Sequence, residues 1–316
     1  MSTVPRAGSY PDFSSAGTTN YIQQLYARQL LKKYYKTDVI TKITNTDAEN
    51  QSSIKQMGDK VIFRKRPTVT INDYYKGKTL SYESPVENSL EMFIDKAHDW
   101  AFQIDNIDLF QSDVKIMSEY SDEGARELKQ TICTNFLAAI YDDGSSSNYG
   151  SSAGSISGNI NLGISGTPKV VTRDNVLYVF NDMAQVLDEQ DVSPDNRHIT
   201  IPPAFWNMIQ SSDLKNASFS GKDQSLLLSG DAVHNIAGFN IHVTNCVNSA
   251  TDGSYTAFDV VFNHMDAITF CMQITKVEIL DKLESTFGSA ARGLAVYGYK
   301  VIQPDALGWL YCAVQN

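Results

Sequence analysis

The chain has 316 residues, 42% of them hydrophobic, enough to bury a sizeable core in one large domain or two intimate ones. Its 36 acidic and 26 basic residues leave a formal charge of −10, which argues against a protein that grips nucleic acid by neutralising phosphates. No run of about eighteen apolar residues is present to span a membrane, and the opening MSTVPRAGSYPDFSSAG lacks the apolar stretch of a secretory signal.

After that polar lead-in, an amphipathic helix is predicted from Asn20 to Lys33, with Tyr21, Ile22, Leu25, Leu30 and Leu31 as a loose apolar stripe. It reads as an arm that docks. From Gly58 the period changes to two. Val61 and Phe63 alternate with charged residues, Val69 and Ile71 with Thr68, Thr70 and Asn72, and Leu80 and Tyr82 resume the alternation after Tyr74-Tyr75-Lys76-Gly77-Lys78. This predicts a long, mostly solvated β-hairpin reversing around Gly77. A two-stranded hairpin without a core is marginal in water, so it needs a second surface, most simply a neighbouring copy of the chain. Arg64, Lys65, Arg66, Val69, Ile71, Lys76 and Lys78 are the expected contact residues. The basic run Arg64-Lys65-Arg66, with Lys60 nearby, reads as a solvated strand face or as a contact to an acidic partner subunit. Asp105 and Asp108 are expected to cap or bridge the hairpin base to the helix that follows.

That helix is predicted to start with Ser121 as N-cap and Asp122 and Glu123 in its first turn, where the dipole favours acids. Ala125, Leu128, Ile132, Phe136 and Ile140 supply its core stripe, and Asp142-Asp143-Gly144 ends it. Residues Gly144 to Thr167, rich in Gly and Ser, predict a flexible or surface-laid loop. A helix follows from Asp174 to Glu189, then a strand from His198 to Ile201, and then Pro202-Pro203 as a helix entry. GFNIHVTNCV and FDVVFNH read as strands joined by a turn from Asn248 to Gly253. Ile268 to Leu280 reads as a long strand and GLAVYGYKVIQP as another. Helices and strands mix without βαβ regularity, which predicts an α+β class.

Chemistry is sparse. No phosphate-binding glycine motif occurs. Gly150-Ser151-Ser152-Ala153-Gly154 matches the nucleophile-elbow pattern, but that turn needs a hydrophobic strand before it and a helix after it, and Gly/Ser residues flank it on both sides. The five histidines include no zinc-binding pair; His234 and His242 straddle Gly238 and read as satisfied polar residues. Cys133, Cys246, Cys271 and Cys312 are widely spaced in apolar contexts, which suits buried free thiols of a reducing cytoplasm. No catalytic, cofactor or metal site is expected.

The ordered set GDKVIFRKRPTVTINDYYKG, LEMFIDKAHDWAFQIDNIDLFQSD, a long amphipathic helix, RHITIPPAFWNMI and LESTFGSAARGLAVYGYKVIQPDALGWL resembles the major capsid proteins of tailed bacteriophages, the Hong Kong 97-type fold. The resemblance runs from about Asn45 onward. It implies an N-terminal arm at 1–50 and an extended loop at 51–90. A peripheral domain with a long spine helix would take 91–196 and 263–300, and an axial domain 197–262 and 301–316. It further implies assembly of the chain with itself into hexamers and pentamers of an icosahedral head. Such a head, built in the host cytoplasm, would enclose double-stranded DNA without sequence-specific binding. A separate scaffolding protein, a portal protein and in some heads a decoration protein are the implied partners, with no membrane. Covalent crosslinks in the family join Lys to Asn, and Lys76 and Lys78 at the hairpin tip are available lysines. An encapsulin-like compartment shell and an enzyme of another class are the alternative readings.

Overall fold

The computed structural model describes residues 36, 38–46, 60–65, 67, 69–80, 82–84, 88–105, 116–212, 235–280, 283 and 287–315. The helix predicted for residues 20–33 lies outside them, as do Arg66, Asp108 and His234. Two sheets organise the chain. In the first, three long antiparallel strands lie in the order β10 (Ile268–Leu280), β11 (Gly288–Val301) and β3 (Lys96–Asp105). The 24-residue helix α2 (Ile116–Ala139) lies across one face. Along β3 the even-numbered residues from Lys96 to Ile104 are half-buried and their neighbours exposed, as a sheet covered on one side requires.

Helix and sheet approach closely where the sequence supplies glycine. Trp100 lies between Gly124 of α2 and Gly293 of β11. A Cβ at either position would come within 2.8 Å or 2.3 Å of the indole. Toward its C-terminal end α2 buries Ile132, Cys133, Phe136 and Leu137. Phe136 meets Phe270 and Tyr299 edge-on, at 6.1 and 5.0 Å between ring centroids.

The second sheet has seven strands. Its order is β4 (Lys169–Val171), β12 (Leu307–Val314), β9 (Tyr255–His264), β5 (Arg197–Ile201), β7 (Phe239–Val243) and β6 (Asn235–Ile236), with β8 (Ser249–Asp252) paired to β9. The helices α3 (Val176–Asp188) and α4 (Pro203–Ser211) cover one face of it. Val179, Phe180 and Met183 meet Ile199, Ile201, Phe205, Phe262 and Leu310 there in one buried cluster. A second cluster joins the two sheets: Ile40 and Ile43 of α1 (Ile40–Ile43), Phe136, Val261, Ile268, Tyr297 and Leu307.

Three expectations need correction. Helix α2 starts at Ile116, so Ser121 lies inside it and its hydroxyl donates to the Met117 carbonyl at 2.7 Å. Within a helix a serine hydroxyl donates to the carbonyl four residues back, whereas at an N-cap its oxygen accepts an amide. The segment from Asn248 to Gly253 contains a strand, β8, and the chain reverses only at Gly253 (φ 59°). The Gly/Ser segment is packed in place. Ala153 and Leu162 are fully buried, and the side chain of Asn148 donates to the carbonyls of Asp305 (2.7 Å) and Leu307 (2.9 Å). The Glu189 carboxylate accepts the amides of Ile156 and Ser157 at 2.9 and 3.0 Å. Backbone and amide hydrogen bonds fix this loop, and composition does not report those.

Candidate assembly surface

The hairpin begins as an antiparallel ribbon of β1 (Lys60–Lys65) and β2 (Asn88–Phe93), in register from Lys60 opposite Phe93 to Lys65 opposite Asn88. One face of the ribbon is seated. Val61, Met92, Ile94 and Cys271 are buried together, with Phe63 and Val296 packed against them. Period-two alternation thus places Val61 and Phe63 toward the long sheet. Lys60 is satisfied within the ribbon by Glu91 at 2.8 Å.

Beyond Lys65 and Asn88 the ladder stops. The described residues between 67 and 84 belong to no strand, which corrects the expectation of paired arms throughout. Except at Lys78, the side chains described along this stretch are exposed, and an exposed two-stranded ribbon gains little from its own pairing. The reversal itself is where the sequence puts it. The Lys78 amide donates to the Tyr75 carbonyl at 3.0 Å, and Gly77 takes the left-handed conformation (φ 90°) that this turn requires. The Lys78 ammonium donates to the Asp73 carbonyl and lies 5.8 Å from the centre of the Tyr75 ring. Across the two arms the Thr70 amide donates to Glu83 at 3.2 Å.

The outer loop carries Val69, Ile71, Tyr74, Tyr75, Leu80 and Tyr82 in the open, with Ile71 and Tyr82 91% and 92% exposed. So dense a group of solvated apolar side chains marks an interaction surface. Of the expected contact residues, Val69, Ile71 and Lys76 are exposed there and Lys78 belongs to the turn. Lys65 is placed by its backbone. Arg64 is exposed at the ribbon's end and lines a cleft of about 760 Å³ together with Asp191, His264 and Asp305 of the same chain.

A second exposed apolar group was missed by the sequence reading. Val277 and Ile279 on β10 and Phe287 just before β11 are 50%, 54% and 89% exposed. Their signal was the alternation of branched residues with Lys276 and Glu278, which was read only as a strand.

No reactive constellation forms among the described residues. Ser152 is exposed in a turn with neither strand before it nor helix after it, so the elbow pattern has no elbow. His242 stacks on His198, and no three His, Cys, Asp or Glu side chains are placed to hold a metal. All four cysteines are buried and free. The Cys133 thiol is pushed up by its hydrogen bond to Cys246 and by burial, and the Cys312 thiol by burial. That same hydrogen bond lowers the Cys246 thiol, which is buried, so none of the three is the exposed low-pKa thiolate that a nucleophile requires. Asp105 closes β3 opposite Gly288.

No family model matches the chain, and no curated protein matches its sequence. Solved structures match over nearly its whole length. A structure from Mycobacterium phage Che8 aligns with a TM-score of 0.76 at 21% identity, covering 93% of this chain and 98% of that one. The capsid structure of cyanophage P-SCSP1u gives 0.66 at 16% identity, over 95% and 96%. The mature capsid of bacteriophage PhiM1 gives 0.68 at 13%, over 96% and 95%. The chain has the mixed α+β fold of phage capsid structures.

Proposed function

We propose that this chain is the major capsid subunit of a tailed bacteriophage, a structural protein that assembles with itself into the hexamers and pentamers of an icosahedral head around double-stranded DNA. The observation that carries the reading is the outer loop between residues 67 and 84. It carries a dense group of exposed apolar side chains, on a fold that capsid structures share end to end. Each large side chain of that loop buried against a neighbour contributes about 1.5–3 kcal/mol, and obligate interfaces sum such terms over thousands of square ångströms. Val69, Ile71 and Lys76 are the loop's contact residues in this reading, and Arg64, Lys65, Arg66 and Lys78 flank them.

The peripheral part is the three-stranded sheet with α2 as its spine, at 91–196 and 263–300. The axial part, at 197–262 and 301–316, is most of the seven-stranded sheet, whose edge strand β4 comes from the preceding segment. By its packing α3 goes with the axial part, because its buried face lies in that sheet's core. Scaffolding, portal and decoration proteins are the partners such a head takes, and the virion is its place. Negative-stain electron microscopy of the purified full chain tests the proposal. Closed shells or ring-shaped capsomers are expected, and a population of compact monomers at every concentration and salt tried would overturn it.

A further inference from the structure

Along β5, His198 and Thr200 alternate with Ile199 and Ile201. The isoleucines belong to the core beneath α3 and α4, so the polar pair stands on the opposite face of the sheet, toward α1, which packs on β5. Asn263 of β9 is the cross-strand partner of His198, and His242 of β7 that of Thr200, so all four side chains share this face. His198, Thr200 and Asn263 are 9%, 1% and 0% exposed. Among the described residues, His198 Nε2, Thr200 Oγ1 and Asn263 Oδ1 have no protein hydrogen-bond partner. Buried polar atoms are nearly always satisfied, and here three come together on neighbouring positions of one sheet face.

Their chemistry narrows what satisfies them. Asn263 Nδ2 donates to the Ile43 carbonyl at 2.7 Å and the His264 carbonyl at 2.9 Å, which fixes the amide orientation and leaves Oδ1 as an acceptor. His198 Nδ1 lies 3.0 Å from His242 Nε2, so one ring donates to the other. Depending on which, His198 Nε2 is a bare acceptor or an N–H donor. Thr200 offers a proton and lone pairs. An anion is repelled by the Asn263 oxygen. A cation finds only neutral ligands in a buried site, and loses the imidazole whenever His242 is the donor. Water, which both donates and accepts, completes either arrangement.

We propose that His198, Thr200 and Asn263 form a hydrated socket. One internal water molecule, bonded to His198 Nε2, Thr200 Oγ1 and Asn263 Oδ1, is a fixed part of the fold. Three bonds are the usual complement of an internal water. The same asparagine holds the Ile43 carbonyl, so the socket also completes the seat of α1.

The sign of one substitution tests this. Thr200→Val keeps the shape and removes the hydroxyl. If the socket is hydrated, the water loses a partner and the thermal midpoint of the full chain falls by about 2–4 °C. If it is dry, the variant relieves a buried unpaired hydroxyl, and a midpoint that rises or does not move overturns the proposal. A density map of the wild type at a resolution that shows water decides the matter even if the variant fails to fold. A peak within hydrogen-bond distance of all three atoms is expected, and a socket without that peak sinks the idea.

Discussion

Arg197 enters the core with its charge, and backbone carbonyls make that tolerable. Its guanidinium donates to Val192 and Ser193 carbonyls at 2.6 and 2.9 Å and to Asp188 at 2.6 Å, joining the end of α3 to the turn before β5. Asp188 is itself 62% exposed, so most of the work lies with the carbonyls. Arg197→Met leaves them unpaired, and each unsatisfied buried group costs about 1–3 kcal/mol. Urea denaturation should show that loss in full, and a smaller one for Asp188→Asn, because the asparagine oxygen can still accept from the guanidinium and both carbonyls stay paired.

Glu189 carries a pH dependence. Its carboxyl is lowered to about 2 by the Ser157 amide, the Gln185 side chain and the Ile156 amide. The folded state therefore binds this proton less readily than the unfolded chain. The stabilisation is complete above the ordinary value of 4.5 and is lost as pH falls toward 2. His198 is lowered too, by burial and by His264, so stability also declines as pH drops below the ordinary imidazole value of 6.5. Glu189→Gln should flatten the stability curve in the lower window and leave the upper one unchanged.

At the scale of elements, the buried stripe of α2 was legible and its start was not. Ile132, Phe136 and Ile140 repeat at helical spacing, whereas Ser121-Asp122-Glu123 imitates a cap within a helix already under way. Phe136→Ala should cost about 3–5 kcal/mol, a large share of a domain's ~5–15 kcal/mol. Ser152→Ala, in the open, should leave the melting transition and assembly unchanged. The long strands β10 and β11 were legible from sustained alternation. The Gly/Ser loop was not, because Asn148 and Glu189 hold it through backbone groups that look alike in every sequence. The hairpin was legible in its turn and its base. Its outer part carries the same alternation as its base but forms no ladder among the described residues, so alternation alone does not report pairing. Replacing residues 69–84 by a short turn should keep the subunit's thermal transition within a few degrees and abolish shells. Global unfolding of that variant would mean that the loop supports its own chain.

For the whole molecule, the α+β class followed from the mixture of elements, but the pairing did not. The parallel contacts of β5 with β7 and of β12 with β4 join strands far apart in the chain, and no local pattern encodes such neighbours. The charge of −10 was legible and carries a prediction. Assembled protein should bind double-stranded DNA weakly at physiological salt, without the steep salt slope of phosphate neutralisation. A tight, salt-sensitive complex in a filter-binding titration would contradict an acidic container.

Strand β10 also has a mechanical role that follows from what is attached to it. Asn45, just beyond α1, forms a bridge to Thr269 and exchanges backbone bonds with Ile268 and Phe270. The base of the hairpin rests on Cys271. The two anchorages are two residues apart on one strand, about 7 Å. A pull on the ribbon and a pull on the segment that ends at Asn45 therefore enter the same strand at nearly the same point. The strand is braced along its length by β11, so a load applied at either anchorage is passed along the same ladder of hydrogen bonds.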